Sequence, residues 1–282
     1  MLIFATHSRS TAMDKHSEQW ALVTGASQGI GLELARCFAR DGINLVLVAR
    51  STARLQQLAQ AWRGQYQIQV MPVALDLIHT QAPDELYKAV TDAGIRISYL
   101  VNNAGVGLFG PYQDTEIERE HEMILLNCVA LTRLTKLFLG DMLTQKQGRI
   151  LNLASTASFQ PGPYQAVYFA SKSYVLSYSE AIAEDLAKTG ITVTALCPGL
   201  TASGFVERAE MGDSGFVKRS GIASAERVAG MGYRAMHKGK RVAIPGILNV
   251  LFALAPRFVP RRLVTFCVSM MMRPSAPKTS NA

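Results

Sequence analysis

The 282-residue sequence predicts an α/β fold: a doubly wound parallel sheet in a single domain, with a C-terminal helical extension. Three observations carry this expectation. Short runs rich in Val, Ile and Leu recur along the chain, and longer stretches of helical periodicity separate them. The runs are apolar on both faces, as strands must be when helices cover both sides of a parallel sheet. A glycine-rich turn joins the first run to the first helical stretch.

The elements follow in order. "WALVTG" at 20–25 reads as the first strand, and "IGLELARCFARDG" as a helix closed by Gly42. "NLVLVA" at 44–49 is the second strand, followed by the helical stretch "TARLQQLAQAWRG", closed by Gly64. Further strands are expected at 68–75, 98–105, 148–155 and 191–199, with a last one in "KRVAIPG" at 240–246. No internal repeat or low-complexity tract interrupts the pattern, so one domain is expected over 18–246.

The two ends differ from this middle. Residues 1–17 lack the charged front and the 7–15-residue apolar core of a signal peptide. They read as a disordered leader, with Met13 as an alternative initiator. Residues 247–282 mix Leu, Phe, Val and Met with Arg257, Arg261, Arg262 and Arg273, broken by Pro256 and Pro260. Two short amphipathic helices fit this pattern. They read either as a cap on the domain or a neighbouring subunit, or as a basic apolar surface giving peripheral contact with a membrane. No run reaches ~18 apolar residues, the length expected of a bilayer-spanning helix.

Composition narrows the function classes. Half of the chain is apolar, which excludes global disorder. Cys37, Cys128, Cys197 and Cys267 form no CxxC pair, and three lie among apolar neighbours. They read as buried thiols in a reducing compartment, and a cytoplasmic location is expected. The five histidines are scattered, and no metal-ligand cluster is expected. The net charge of +8 is carried by dispersed basic residues without interleaved aromatics, so no nucleic-acid partner is expected. An anionic cofactor or an anionic membrane surface suits that charge better.

The turn "TGASQGIG" at 24–31 identifies the anion. Gly25 permits a tight turn off the strand, Gly29 close backbone approach, and Gly31 packing of helix on strand. The helix N-terminus then faces a pyrophosphate with its N–H groups and positive dipole end. About twenty residues further, a carboxylate on the ribose 2′-OH would select NAD. The sequence there reads Ala49-Arg50-Ser51, with no carboxylate and a guanidinium suited to a 2′-phosphate. NADP(H) is therefore the expected cofactor.

"YFASK" at 168–172 puts Tyr168 and Lys172 one helical turn apart on one face. Alone it matches any solvated i,i+4 pair, but it has company. "TGASQGIG", "NNAG" at 102–105, Asn127 in the fifth helix, Ser155 after the fifth strand, "YFASK", and "PGLT" at 198–201 follow one another in order. In that order they resemble the short-chain dehydrogenase/reductase family, whose usual interval of thirteen residues separates Ser155 from Tyr168.

The resemblance implies a Rossmann-type fold and an NADP-dependent oxidoreductase acting on CH–OH groups. It assigns catalytic roles to Asn127, Ser155, Tyr168 and Lys172. Tyr168 would exchange a proton with the substrate oxygen, Ser155 would orient that oxygen, and Lys172 would lower the phenol pKa while holding the nicotinamide ribose. Asn127 would hold a water that relays protons towards Lys172; its plain alternative is to satisfy a buried backbone group. "LASTAS" offers Ser158 as a rival to Ser155, and only the interval selects between them. Cofactor contacts are implied for Gly25, Ser27, Gln28, Gly29, Ile30 and Gly31 at the turn, and for Arg50 and Ser51 beyond the second strand. Asp76 and Leu77 would lie at the adenine, and Asn103, Ala104 and Gly105 along the nucleotide. Tyr168, Lys172, Pro198, Gly199 and Thr201 would surround the nicotinamide.

In the family, substrate choice lies after the sixth strand and at the C-terminus. Here 201–221 carries Phe205, Val206, Met211, Phe216 and Val217, which suits a lid over an apolar substrate or an ordinary solvated loop. The expected substrate is a hydrophobic ketone, aldehyde or 3-oxoacyl thioester, reduced with NADPH. The alternative is a non-catalytic NADP-binding regulatory or interaction protein on the same fold. The resemblance also implies a homodimer or homotetramer joined through the fifth and sixth helices, with the long C-terminus placed to block one tetramer contact.

Overall fold

A computed structural model describes residues 19–214 and 222–274. The leader at 1–17, Phe216 and Val217 of the expected lid, and 275–282 of the extension lie outside these residues. Strands β1 (Trp20–Thr24), β2 (Asn44–Ala49) and β3 (Val70–Ala74) alternate with helices α1 (Gly29–Arg40), α2 (Thr52–Tyr66) and α3 (Ala82–Asp92). Then come β4 (Ile97–Asn102), α4 (Ile117–Ile124), α5 (Leu131–Gln145), β5 (Gly148–Leu153), α6 (Ala166–Asp185) and β6 (Ile191–Leu196). The remainder holds β7 (Thr201–Ala202), α7 (Phe205–Arg208), β8 (Ala223–Ser224), α8 (Ala225–His237), β9 (Val242–Ala243), α9 (Ile247–Leu254) and α10 (Arg261–Met272).

The main sheet is parallel, in the order β3-β2-β1-β4-β5-β6-β9. Its strand order reverses between β1 and β4, which opens a crevice at their carboxyl ends. Side chains alternate across the sheet: Ala21, Val23, Leu45 and Leu47 pack with Phe38 of α1 on one face. Leu22, Val46 and Val48 pack with Leu86 of α3 and Phe138 of α5 on the other. This period of two, buried on both faces, is why each strand reads as a continuous apolar run. Pro72, which cannot donate to a ladder, falls in the edge strand β3.

Several expectations need correction. Helix α2 runs through Gly64 and ends at Gln67, which holds the left-handed conformation at φ 54°. A Cβ on Gly64 would meet nothing within 4 Å, while Trp62 is buried before it and stacks edge-on with Tyr66 at 6.2 Å. Packing on both sides of the glycine carries the helix past it. The final strand shrinks to Val242–Ala243, and a short parallel pair, β7 with β8, was not foreseen. Only Cys197 is buried; Cys37 and Cys128 are half-buried and Cys267 is exposed. Among the described residues, the continuous rod Ile117–Gln145 is long and apolar enough to cross a membrane by length and composition, although no single apolar run signals it. Here it is a layer of the fold, with Leu131, Leu134, Phe138 and Met142 buried against neighbouring elements.

Candidate active site

The crevice at the sheet switch point widens into a cavity of about 1990 Å³. Every residue to which the resemblance gives a catalytic or cofactor role lines it except Gly31 and Asn127, which stand just behind its wall. The turn after β1 is built for close approach: Gly25 and Gly29 hold φ +66° and +57°, which side chains rarely adopt. A Cβ on Gly31 would lie 2.3 Å from both the Asn103 Nδ2 and the Gly25 carbonyl oxygen. That space belongs to a clasp between β1 and β4. Asn103 Nδ2 donates to the Thr24 carbonyl at 2.8 Å and to that of Gly25 at 3.3 Å. The backbone N–H groups of Asn103 and Ala104 both donate to Thr24 Oγ1 at 3.0 Å. Asn103 thus shapes the turn from behind.

Helix α1 starts at this turn with no side-chain cap and no acidic residue in its first turn. An anion fits that N-terminus on charge and on donors. Beyond β2, Arg50 lies 3.9 Å from Asp76, and the Ser51 hydroxyl caps α2 by accepting from the Arg54 N–H at 3.4 Å. Arg54, Arg208 and Arg227 join Arg50 on the cavity wall. Burial pushes the Arg208 pKa down; the Glu207 carboxylate opposes the fall and repulsion from Arg50 adds to it. Two guanidiniums converging without a carboxylate at Ala49 suit a phosphate. Sequence reasoning missed Arg54 and Arg208; Arg54, one helical turn beyond Arg50, carried a readable signal.

Ser155 and Ser158 separate on geometry. Ser158 is buried and donates to the Lys172 carbonyl at 2.7 Å, while accepting from the Ser155 N–H at 3.3 Å. It is a staple between the β5 end and α6. Ser155 faces the cavity, and its Oγ accepts from the Ala157 N–H at 3.1 Å. The two serines divide a buried structural position and a cavity-facing one between them.

Lys172 is buried, and its Nζ donates to the Leu153 carbonyl at 2.8 Å and sits 5.9 Å from the Tyr168 ring centroid. Burial pushes its pKa down to about 8. Burial likewise pushes the Tyr168 phenol up to about 12, with the Ser155 hydroxyl pulling weakly the other way. The expected lowering of the phenol by Lys172 is therefore not what this chain's own groups produce. The ammonium is turned to Leu153, and desolvation dominates both groups.

Asn127, expected in the fifth helix, sits in a π-helical turn, Leu125–Ala130, joining α4 to α5. Its Oδ1 accepts from the Val106 N–H, and its Nδ2 donates to the Val106 carbonyl and to Ser171 Oγ, each at 3.0 Å. The side chain thus pins the "NNAG" segment to α6. A Cβ on Gly105 would lie 3.0 Å from Asn127 Oδ1 and 3.4 Å from Lys172 Nζ, so glycine lets the three groups gather.

The far wall is apolar. Phe205 of α7 packs on Tyr168 with ring centroids 5.1 Å apart, in one cluster with Met211, Val268 and Met272. The α9 and α10 helices thereby form part of the site. The Asn249 side chain fills the space beside Gly199, where a Cβ would lie 2.7 Å from it. Thr201, buried, donates to the Gly199 carbonyl at 2.9 Å and keeps that loop folded over the cavity.

The family described as short chain dehydrogenase matches residues 19–213. An uncharacterized oxidoreductase of Staphylococcus epidermidis is 33% identical over 213 residues, covering 76% of this chain and 91% of its own. A very-long-chain 3-oxoacyl-CoA reductase of Phaeosphaeria nodorum is 35% identical over 179 residues, covering 62% of this chain and 52% of its own; the match spans about half of that protein. A short-chain dehydrogenase from Sphingobium yanoikuyae, solved in complex with NADPH, superimposes with a TM-score of 0.76 at 28% identity, over 93% of this chain and 99% of that one.

Proposed function

Because the chain belongs to the short-chain dehydrogenase family, it is an oxidoreductase acting on alcohols and ketones, and we propose that it uses NADPH to reduce a large apolar ketone, aldehyde or 3-oxoacyl thioester. One observation carries the reading: a cavity of about 1990 Å³ joins the glycine turn, Ser155, Tyr168 and Lys172 to an apolar wall built from the C-terminal helices. Its size exceeds the ~300–1,000 Å³ of an ordinary small-ligand site, leaving room for a cofactor and a bulky substrate together.

The residues present fit NADPH. The turn at Gly25, Ser27, Gln28, Gly29 and Ile30 would hold the pyrophosphate on the α1 N-terminus, and Gly31 makes room behind it. Arg50 and Arg208, with Arg54 and Ser51 at the α2 N-terminus, would hold the 2′-phosphate. Asp76 and Leu77 would flank the adenine, and Asn103, Ala104 and Gly105 the ribose and nicotinamide side. Pro198, Gly199 and Thr201 would close the loop over the nicotinamide. When bound, the cofactor supplies the hydride that the carbonyl carbon accepts.

The chain's own groups handle the oxygen. The Ser155 hydroxyl donates to it and orients it as negative charge develops. Tyr168 is a neutral phenol across the neutral range, so it holds the proton that the oxygen needs. The proton leaves the phenol for the substrate oxygen, and the phenolate left behind has the Lys172 ammonium one helical turn along, 5.9 Å from the ring centroid. Asn127 positions Lys172 indirectly, through Val106 and Ser171. Apolar residues exposed on α4–α6, including Ile124, Leu143 and Tyr174, support a homo-oligomer through those helices.

The test is NADPH oxidation across a panel of carbonyls. Bulky ketones and long 3-oxoacyl thioesters should turn over; turnover confined to sugars or small polyols overturns the reading. Two expectations accompany it. Ala49→Asp with Arg50→Ala should lower kcat/KM for NADPH by roughly 10- to 100-fold and raise that for NADH, since a charge-assisted phosphate contact contributes ~1.5–3 kcal/mol. Unchanged constants for both cofactors would refute the phosphate assignment. Ser155→Ala should cut kcat by about 10²-fold, at a stability cost of about 0.5–1 kcal/mol for its lost cap to the Ala157 N–H. Ser158→Ala should instead cost about 1–2 kcal/mol of stability and spare most turnover. The reverse pattern would exchange the two serines' roles.

A further inference from the structure

The two C-terminal helices are apolar on the wrong side. A helix on a globular surface turns its polar face outward. Here α10 buries Val268 and Met272, yet its opposite face shows Leu263, Phe266 and Met270 at i, i+3 and i+7, exposed by 51%, 61% and 62%. The α9 segment buries Ala253 while Ile247, Leu251 and the following Phe258 stand exposed by 82%, 59% and 85%. Arg257, Arg261, Arg262 and Arg273 are exposed among them. No Asp or Glu follows Glu226 in the sequence, so the charged side chains that α9, α10 and the turn between them bring to this surface are all positive.

We propose that α9 and α10 seat the protein on an anionic lipid bilayer. Apolar side chains framed by arginines match the acyl boundary and the phosphate layer of such a surface. A helix of 12 residues spans about 18 Å, well short of the ~30 Å hydrocarbon core, so α10 lies on the membrane rather than crossing it. A second copy of the chain is the poorer occupant. A two-fold contact sets a patch against itself, and this patch would oppose arginine to arginine with no carboxylate from the same stretch to pair them.

The surface is also the rim of the cavity. Leu248, Phe252, Cys267 and Met271 are exposed and line the cavity at once. On the lipid surface that mouth opens towards the acyl layer, and an apolar carbonyl passes from bilayer to site without crossing water. This route rests on the reading given under Proposed function; the lipid binding itself does not.

The experiment is flotation of the full-length protein with vesicles of phosphatidylcholine, with and without phosphatidylglycerol, at low and high salt. The wild type should float with the phosphatidylglycerol vesicles, less so at high salt. Arg261→Glu with Arg262→Glu should weaken that binding by roughly 25-fold or more, at about fivefold per basic residue removed. Phe258→Ser with Phe266→Ser should weaken it by about tenfold or more at either salt concentration. Both should melt like the wild type and keep its turnover of a short, water-soluble ketone; Leu263→Ser with Met270→Ser serves if either fails to fold. Absence of flotation by the wild type, or flotation indifferent to both kinds of variant, overturns the proposal. So does self-association that the serine variants abolish without any vesicle binding, which gives the face to a second copy. Flotation intact with no carbonyl turnover removes the substrate route and the catalytic reading, and leaves the lipid surface standing.

Discussion

Tyr168→Phe is expected to lower kcat for ketone reduction by about 10³-fold while leaving NADPH affinity within about twofold, within the ~10²–10⁴ that a positioned acid contributes. The split follows from the surroundings of the ring. Phenylalanine keeps the packing on Phe205 and Phe169, at centroid separations of 5.1 and 6.2 Å, so the wall of the cavity survives. What goes is the phenolic hydroxyl, protonated at neutral pH and beside the Ser155 hydroxyl. Steady-state kinetics on a bulky ketone, with cofactor affinity from nicotinamide fluorescence, reads both numbers. Turnover within tenfold of wild type would mean that another group supplies the proton, or that this chain binds dinucleotide for a non-catalytic purpose.

Lys172→Met is expected to abolish most turnover and, at the same time, to stabilise the protein without cofactor. The ammonium is buried, so its pKa falls to about 8 from an ordinary 10.5. Below pH 8 both folded and unfolded chains carry the proton, and the fold bears the full cost of burying it, on the order of 3 kcal/mol. Between pH 8 and 10.5 the unfolded chain binds the proton more tightly, so stability at this site rises with pH and the cost is gone above 10.5. Tyr168 acts in the opposite sense. Its phenol keeps its proton to about 12 when folded but only to 10.0 when unfolded, so stability falls across that interval. Methionine removes the lysine contribution and leaves the Leu153 carbonyl without its donor, at about 1 kcal/mol. The net gain near pH 7, about 2 kcal/mol, should raise Tm by roughly 4–8 °C. The variant's stability should also lose its rise above pH 8. A lower Tm at pH 7 would show that the buried ammonium is well paired in the folded chain.

Residues whose work is local could be read before any coordinates. The strands read correctly because each is buried on both faces, and the glycine turn because φ near +60° at Gly25 and Gly29 excludes most other residues. Ser155, Tyr168 and Lys172 were singled out by the ordered motifs of the resemblance, and the structure lines one cavity with them. What escaped depends on neighbours far along the chain. A glycine inside a helix and a glycine ending one look alike, and only the packing of Trp62 and Tyr66 decides for Gly64. An arginine on a helix surface looks alike wherever it points, so Arg208 gave no sign of lining the same cavity as Arg50. The pKa of Tyr168 turns on how dry its surroundings are and where the Lys172 ammonium is aimed, neither of which a spacing of four residues contains.

The clasp between Thr24 and Asn103 joins groups 79 residues apart. During synthesis, the loop after β1 has its glycines from the first but lacks its brace until β4 has left the ribosome and docked. A nascent or truncated chain ending before that point keeps the Ala26 N–H bond to the Val48 carbonyl but lacks the four bonds of the clasp, so dinucleotide capture requires the long crossover to have closed. Protection of the turn by added nucleotide against a protease should consequently be absent from every chain that ends before Asn103.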